Sequence, residues 1–525
     1  MLIGIIVTGH GNFASGLASS IEVIAGKQDK FEAIDFPIGS TNTELAKQLQ
    51  EAVDRLNCSD IIFCTDIAGG TPFNQSVILS THLPNSKVIS GTNVPVLLEA
   101  LFSRANQTAL SLSEILVDSH QSRIQVFQSR SQNKKIEEVF LMTKIAIKAQ
   151  KIFTADFIES NNYLIVEDNK FAGFLSKEDV KKENIPVKEY NDAFIIPGLI
   201  DTHIHGAVGH DTMDSTPEAL KSIGDYLLTQ GTTTWMPTTV TAPLEDIYKA
   251  IANVAECKDT LNSARILGMF IEGPYITSKH KGAHPEEHIR PLNKEEIEKM
   301  SEYNTVKSII IAPEKEDAPK FTKWITQDLK IKVSLGHSSA NYEEACACFD
   351  MGADAGVHTY CAMEQLHHRN PNLLGAIMTR NDVYAELIAD GIHVSLPAMK
   401  ILLQNKPKDK ALLVSDAIQG TGLKDGRYML GTLPFNVKDG IARIDSGNLA
   451  GSTTTLLKEV RRLVLELHEN PIHAVNMASL NPAKRFGVDD ELGSIAIGKK
   501  ADFLIITPDY ELKETWLDGK CVFKA

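Results

Sequence analysis

The sequence predicts a mixed α/β protein with two successive folds. These are an N-terminal doubly wound parallel sheet and a (β/α)8 barrel with a small β-sandwich built from both of its ends. Over the first 130 of 525 residues, short apolar runs alternate with helix-length amphipathic segments, which is typical of a parallel sheet covered on both faces. Eight further strand-like runs lie between 199 and 415, as a barrel requires. Short alternating segments over 143–195 and 493–525 predict the sandwich.

Composition limits the binding partners and the cellular compartment that we expect for this protein. The formal net charge of -14 at pH 7 disfavours nucleic acid and anionic membranes, so an anionic substrate requires a local basic site. The seven cysteines form no C-x-x-C pair, which indicates a reducing compartment without disulfides or a thiolate zinc site. The apolar start at 1–7 lacks a basic leader, and no apolar run is long enough to span a bilayer. We therefore expect a cytoplasmic protein without a transmembrane segment.

A histidine and a carboxylate follow two strands of the N-terminal domain. The predicted strand at 2–7 leads to His10, and the strand at 61–65 leads to Asp66. Because ligands of parallel sheets bind at the carboxyl ends of the strands, we expect the two side chains to meet there. A carboxylate orients an imidazole and makes it more basic, as a nucleophile toward a phosphoryl group requires. The spacing alone leaves open a turn histidine packed between glycines.

Three motifs carry a resemblance across this domain: VTGHG at 7–11, DIAGGTPFN at 66–74 and GTNVP at 91–95. Residues 1–130 resemble the EIIA domain of the mannose-family phosphotransferase system. The resemblance implies that His10 accepts a phosphoryl group from the phosphocarrier protein HPr and passes it to an EIIB domain. It also implies that Asp66 assists His10 and that no metal or cofactor takes part. The alternative is a regulatory module that senses phosphorylation without passing the group on.

The domain boundaries follow from changes in composition. The stretch 128–138, with SRSQNKK at its centre, is polar and lacks periodicity, which is typical of a linker. We expect the linker at 131–142, the sandwich at 143–195 and 493–525, and the barrel at 196–492.

Polar side chains lie on or directly after five strands of the predicted barrel, at the end where barrels keep their active sites. They are His203 and His205 on strand one, Glu272 after strand three, His337 after strand five, His358 after strand six and Asp416 after strand eight. The two histidines of strand one face the same way because side chains alternate along a strand. Imidazole and carboxylate ligands without thiolates suit zinc or a similar divalent ion.

These residue types predict metal-dependent hydrolysis of an amide. A divalent ion lowers the pKa of its bound water to roughly 7, which makes hydroxide available to attack a carbonyl. Asp416 would then take the water proton and deliver it to the leaving nitrogen.

A second resemblance runs from about residue 143 to the end. The stretch IPGLIDTHIHG at 196–206 resembles the amidohydrolase superfamily. Seven further motifs narrow the resemblance to N-acetylglucosamine-6-phosphate deacetylases: EGPY at 272–275, KGAH at 281–284, GHS at 336–338, HTYCAM at 358–363, HHRN at 367–370, ADGIH at 389–393 and LVSDA at 413–417. The resemblance implies that Glu272, His337 and His358 bind the principal metal and that Asp416 is the acid/base.

The same resemblance implies how the substrate is held. His284 contacts the sugar or the acetyl carbonyl, while His393, Arg369 and the backbone around Cys361 and Ala362 hold the phosphate. The resemblance also implies that Arg369 reaches across the interface of a homodimer. Arginine and histidine suit this role, because a phosphate on an acidic protein needs fixed donors.

Two departures from the family leave alternatives open. Some members lack the first-strand H-x-H and bind one metal, whereas His203 and His205 permit a second ion beside the essential one. Cys361 stands where the family usually has Asn, so N-acetylgalactosamine 6-phosphate is an alternative substrate. Another amidohydrolase is the third alternative, but many of those bridge two metals with a carbamylated lysine after strand four, and 308–314 contain no lysine.

Overall fold

In the computed structural model, the described residues are 2–105, 107–118 and 144–525. They belong to two units, one within residues 1–137 and the other within 138–525. The linker predicted at 131–142 lies outside the described residues, and the domain boundaries around it stay predictions. No helix in these described ranges is long and apolar enough to cross a membrane.

The first unit contains a four-stranded sheet in which all neighbouring strands are parallel. Its strands are β1 (Gly4–His10), β2 (Phe31–Phe36), β3 (Ile61–Thr65) and β4 (Ser86–Ile89), in the order β2-β1-β3-β4. Its helices are α1 (Phe13–Ala25), α2 (Asn42–Leu56), α3 (Thr71–Ser80), α4 (Val94–Ser103) and α5 (Ala109–Asp118). Two separate apolar cores, one including Ile5 and Leu97 and the other Ile6 and Leu49, pack with the sheet. Ile5 and Ile6 point to opposite faces, so the predicted doubly wound sheet is confirmed.

The second unit begins with short, mainly antiparallel strands and continues into the barrel. The opening elements are β5 (Lys144–Phe153), β6 (Ile158–Glu159), β7 (Tyr163–Glu167), β8 (Lys170–Leu175), α6 (Lys177–Lys182) and β9 (Val187–Pro197). The barrel region contains β10 (Leu199–Ile204), β11 (Gly206–Ala207), β12 (His210–Asp211), α7 (Pro217–Leu228), β13 (Thr232–Pro237), α8 (Leu244–Cys257), β14 (Arg265–Ile266), β15 (Met269–Ile271), α9 (Lys294–Ser301), β16 (Val306–Ile311), α10 (Ala318–Gln327), β17 (Lys332–Leu335), α11 (Tyr342–Asp350), β18 (Ala355–Gly356), α12 (Asn372–Thr379), β19 (Tyr384–Leu387), α13 (Leu396–Asn405) and β20 (Ala411–Leu413).

Parallel pairing connects the barrel strands into a ring. β10, β13 and β14 form one run and β15 to β20 form the next, with β14 and β15 together making the third barrel strand. Parallel bridges join Thr238 to Phe270 and Ile204 to Ala417, so the second strand meets the third and the first meets the eighth. The predicted (β/α)8 barrel is therefore confirmed, with its strands near the predicted runs.

Between the last barrel strand and the predicted C-terminal strands, the chain forms elements that the sequence analysis did not predict. β21 (Gly426–Leu430), β22 (Leu433–Lys438) and β23 (Ile441–Ile444) make an antiparallel sheet, followed by α14 (Leu456–Leu465), α15 (Pro471–Met477) and α16 (Leu480–Phe486). The final strands are β24 (Phe503–Ile506), β25 (Leu512–Leu517) and β26 (Lys520–Lys524).

Strands from the two ends of the second unit pair in one eight-stranded sheet. Its order is β26-β25-β24-β9-β5-β7-β8, with β6 on β5. Ile147 and Phe171 from the first end share an apolar core with Phe503 and Trp516 from the second. The rings of Phe503 and Trp516 stack with their centroids 5.0 Å apart.

A buried carboxylate links the strands that come from the two ends of the second unit. Glu514 on β25 accepts hydrogen bonds from Lys188 and Tyr190 on β9 and from Trp516 Nε1. Burial works to raise the pKa of Glu514, but the hydrogen bonds from Tyr190, Lys188 and Trp516 outweigh it and lower the pKa to about 2. The carboxylate is therefore ionised at neutral pH and holds three donors.

Glu514→Ala is expected to lower the free energy of unfolding of the second unit by about 2–3 kcal/mol, because it leaves buried donors without their acceptor. The stabilisation is complete above the ordinary pKa of 4.5 and is lost as the pH falls through about 2, since the folded-state pKa is the lower one. Thermal unfolding at pH 7 measures the loss. The exposed neighbour Glu511→Ala should change the stability by about 0.5 kcal/mol or less. Equal shifts for the two variants would contradict the assignment.

Candidate functional site

His10 and Asp66 meet at the carboxyl edge of the N-terminal sheet, as predicted. His10 is the last residue of β1, and Asp66 directly follows the neighbouring strand β3. Asp66 Oδ2 lies 2.7 Å from His10 Nδ1 and also accepts the backbone N–H of His10 at 2.8 Å. A Cβ atom on Gly70 would lie 2.7 Å from His10 Cε1, so the glycine permits the close approach of the backbone to the ring.

This pairing fixes the tautomer of His10. Burial works to raise the pKa of Asp66, but hydrogen bonds from the backbone and the ring of His10 hold the pKa below its ordinary value. An ionised carboxylate only accepts hydrogen bonds, so Nδ1 of His10 carries the proton and Nε2 has the lone pair. The side chain of His10 is 48% exposed, which makes the ring accessible to a second protein.

In the second unit, the structure brings the six predicted barrel residues together. Glu272 is central: Oε1 lies 3.2 Å from Nε2 of both His337 and His358, and Oε2 lies 3.0 Å from Nε2 of His205. Nε2 of His203 lies 3.4 Å from Oε1 of the same carboxylate. Asp416 Oδ1 lies 3.3 Å from Nε2 of His205. All these side chains are buried.

Three of these residues have an unusual backbone conformation. His337, His358 and Asp416 have φ values of +46°, +26° and +48°, which non-glycine residues rarely adopt. Such strain costs about 1–3 kcal/mol per residue and persists only where the surrounding structure imposes it. Its concentration at three strand ends that meet is typical of a functional site.

Hydrogen bonds behind two of the rings determine which nitrogen faces Glu272. Nδ1 of His337 lies 2.8 Å from the carbonyl oxygen of His280, and Nδ1 of His203 lies 3.1 Å from Glu386 Oε2. Both oxygens are acceptors, so both Nδ1 atoms donate and each neutral ring has its lone pair on Nε2. Nε2 of His203 is buried and forms no hydrogen bond with any of the described residues. Lone pairs that face a carboxylate in this way need a positive charge between them, so the donor set fits a cation.

His284 has the opposite tautomer. Its Nδ1 accepts the backbone N–H of Thr241 at 3.0 Å, so in the neutral ring Nε2 carries the proton. That Nε2 lies 3.5 Å from Glu272 Oε2. By distance alone, the described residues include two groups that could hold a metal: His203, His205 and Glu272, and Glu272, His284 and His337. The tautomer favours His284 as a hydrogen-bond donor rather than a ligand.

The electrostatics of the cluster also favour a cation. Burial works to raise the pKa of Glu272, but His203, His205 and His284 hold it well below its ordinary value. Burial works to lower the pKa of His205, yet Asp416 and Glu272 raise it to about 9. Burial lowers the pKa of His337 to about 4 despite Glu272, so this ring is neutral at physiological pH. The carboxylates of Glu272 and Asp416 thus attract positive charge to the cluster, either as a proton on His205 or as a bound cation, beside a neutral His337 ring.

A cavity of about 440 Å³ opens over this cluster. The predicted residues in its lining are His205, Glu272, His284, His337, His358, Cys361, Ala362, His393 and Asp416. Nδ1 of His393 lies 2.7 Å from Asp390 Oδ2. Burial works to lower the pKa of His393, but the hydrogen bond and the charge of Asp390 raise it. Burial raises the pKa of Cys361 to about 12, so this side chain is a neutral thiol.

Two predicted residues lie apart from this lining. His203 is fully buried behind Glu272, and Arg369 is exposed, with its Nη1 2.7 Å from Nε2 of His368. The structure therefore gives Arg369 no contact with the cavity within its own chain, as far as the described residues extend.

Sequence reasoning missed several residues of the site. Lys279 and His280 line the cavity mouth and both contact Glu364. Their position directly before the KGAH motif was an available signal. Asn448 lines the cavity from the segment after β23, and no pattern in the sequence indicated it.

Comparison with known proteins places both units. Residues 194–522 match the model of the amidohydrolase family, and residues 4–117 match the model described as the PTS system fructose IIA component. The N-acetylgalactosamine-6-phosphate deacetylase of Escherichia coli O157:H7 is 37% identical over 71% of this chain and 98% of its own length. The N-acetylglucosamine-6-phosphate deacetylase of Vibrio furnissii is 37% identical over 72% and 95%. The crystal structure of N-acetylglucosamine-6-phosphate deacetylase from Pasteurella multocida is 28% identical, with a TM-score of 0.68 over 72% of this chain and 99% of that one.

Proposed function

The chain belongs to the amidohydrolase family and carries a phosphotransferase-system EIIA domain at its N-terminus, and from this we propose that its barrel removes the acetyl group from N-acetylglucosamine 6-phosphate. The products are glucosamine 6-phosphate and acetate. The single observation that carries the proposal is the cluster of histidine Nε2 atoms around Glu272, with Asp416 beside it, at one cavity. Two relatives that align with this chain over nearly their full length are named as deacetylases of N-acetylhexosamine 6-phosphates.

Glu272, His337 and His358 would hold the principal cation, which we propose is zinc, since imidazole and carboxylate ligands suit it. His203 and His205 would hold a second ion together with Glu272, because their Nε2 atoms face its carboxylate. A cation bound here polarises the amide carbonyl and makes water more acidic.

Asp416 is placed to move the proton. Its pKa lies below the ordinary value because, although burial opposes this, His205 and His203 stabilise the ionised form. An ionised Asp416 takes the proton of the water that attacks the acetyl carbon. It then delivers that proton to the leaving nitrogen as the carbon–nitrogen bond breaks, so acetate and an amine result.

The remaining lining residues would orient the substrate. His284 directs its Nε2–H toward the acetyl end of the substrate, where the acetyl carbonyl or a sugar hydroxyl accepts the hydrogen bond. His393, whose positive form is stabilised by Asp390, binds the phosphate with the backbone of Cys361 and Ala362. Arg369 is exposed outside the cavity of its own chain, and we propose that it completes the phosphate site of a second copy in a homodimer.

In the first unit, we propose that Nε2 of His10 accepts a phosphoryl group from HPr and passes it to a mannose-family EIIB domain. Asp66 holds the ring and stabilises its positive charge. One half of the chain would then serve sugar uptake and the other would act on the resulting 6-phosphate, both in the cytoplasm. The alternative is a module that only senses phosphorylation.

The metal-loaded protein is expected to release acetate from N-acetylglucosamine 6-phosphate and to lose this activity on chelation, with recovery when zinc is restored. Acetate release and metal content are measured on the same sample. The matched substrate is N-acetylgalactosamine 6-phosphate, and a higher kcat/KM for it would assign the galacto epimer instead. Absence of acetate from both substrates would contradict the proposed reaction.

A further inference from the structure

Glu386 is a buried carboxylate of the barrel interior that lies behind His203. It belongs to β19, is fully buried, and among the described residues is not part of the cavity lining. Its Oε2 accepts the Nδ1–H of His203 at 3.1 Å, and its Oε1 accepts Nη1 of Arg485 at 3.1 Å. Each carboxylate oxygen therefore has a partner of its own.

Arg485 supplies the opposing charge. Its side chain is fully buried, and its Nη2 also donates to Ser334 Oγ at 2.6 Å and to Asp354 Oδ1 at 3.0 Å. Isolated charges are costly to bury, and the fixed arginine forms a fully buried ion pair with Glu386. An ionised carboxylate can only accept from His203, whichever tautomer the ring would prefer alone.

We propose that Glu386 is a positioning residue that acts through His203. By accepting a hydrogen bond from Nδ1–H of His203, it keeps the proton on Nδ1 and leaves the lone pair of Nε2 facing the cation site shared with His205 and Glu272. This inference rests on the second cation of the proposed function. Carboxylates behind metal-binding histidines fix the tautomer and orientation of the ring, and their loss typically weakens metal affinity about 10–100-fold.

Glu386→Gln gives a sharp test because it keeps the size of the side chain. Arg485 has only donors, so it would hold the amide oxygen of Gln and turn the amide NH2 toward His203. His203 must then accept at Nδ1 and carry its proton on Nε2, where it points at Glu272 and obstructs a cation. We expect E386Q to bind one of its two metal ions about 10–100-fold more weakly than the wild type, with the other ion unchanged.

Metal content is measured by mass spectrometry over a series of buffered free zinc concentrations, and acetate release is followed in parallel. Glu459→Gln is the matched control, since Glu459 is an equally buried carboxyl whose pKa burial raises well above its ordinary value and which accepts the backbone N–H of Ala389. E459Q should bind both ions. Combining E386Q with His203→Asn should weaken binding no further than His203→Asn alone, because the two residues act on the same ion.

If the wild type binds two ions and E386Q binds both of them with unchanged affinity, this proposal is overturned while the proposed function stands. A wild type with one ion that His203→Asn does not affect would overturn the second cation site and this proposal with it. If E386Q fails to fold, ¹⁵N-histidine spectra of the metal-free wild type and His203→Asn decide. The signal missing from His203→Asn must report a proton on Nδ1, and a ring that carries its only proton on Nε2 would overturn the proposal.

Discussion

Asp416→Asn is expected to reduce acetate release by about 10²–10⁴-fold while the protein keeps its principal metal ion. Asparagine has the same shape but cannot take the proton of the attacking water. The groups proposed to hold that ion, Glu272, His337 and His358, contact one another independently of Asp416. Turnover and bound metal are therefore measured on the same preparation.

Two outcomes would contradict the role of Asp416. Turnover equal to that of the wild type would remove it as the acid/base, and loss of the principal ion would make it a ligand instead. Asp445→Asn is the matched control, because Asp445 is an exposed aspartate beyond β23 and its replacement should leave turnover unchanged.

His10→Ala is expected to abolish phosphoryl acceptance and to leave acetate release at the wild-type rate. The variant removes the nucleophilic nitrogen from the first unit, whereas the described residues that line the cavity all belong to the second. Labelled phosphoenolpyruvate, enzyme I and HPr supply the phosphoryl group, and a purified EIIB receives it. His82→Ala, which removes an exposed histidine of the same unit, should accept the group as the wild type does.

The outcomes of this experiment separate the alternatives. Wild-type protein that becomes labelled but cannot load EIIB would favour the sensing module over a transfer domain. Labelling of His10→Ala would contradict the assignment of the nucleophile. A large loss of acetate release in His10→Ala would contradict the independence of the two activities.

The sequence predicts the strands themselves and the polar residues that directly follow them, because these features depend on local patterns. Strand β3, for example, has the predicted bounds, and Asp66 follows it directly. Glu272 and His358 could be placed together because the carboxyl ends of barrel strands converge. Both inferences need only a local pattern and a rule of topology.

The orientation of individual groups could not be predicted in this way. The tautomer of His203 depends on Glu386, which lies 183 residues further along the chain and shows no motif. Likewise, the proton position in His284 depends on the backbone N–H of Thr241, 43 residues away. Such contacts arise only when the ring of strands closes, and a one-dimensional pattern contains no trace of them.

The sheet built from both ends of the second unit has a consequence for synthesis on the ribosome. Residues 194–197 of β9 pair with 503–506 of β24, and these partners are translated only after the whole barrel. During that interval the nascent chain presents an unpaired strand edge, which is the kind of surface that recruits other chains. The last strands therefore cover this edge late, and it stays open to pairing with other chains until they leave the exit tunnel.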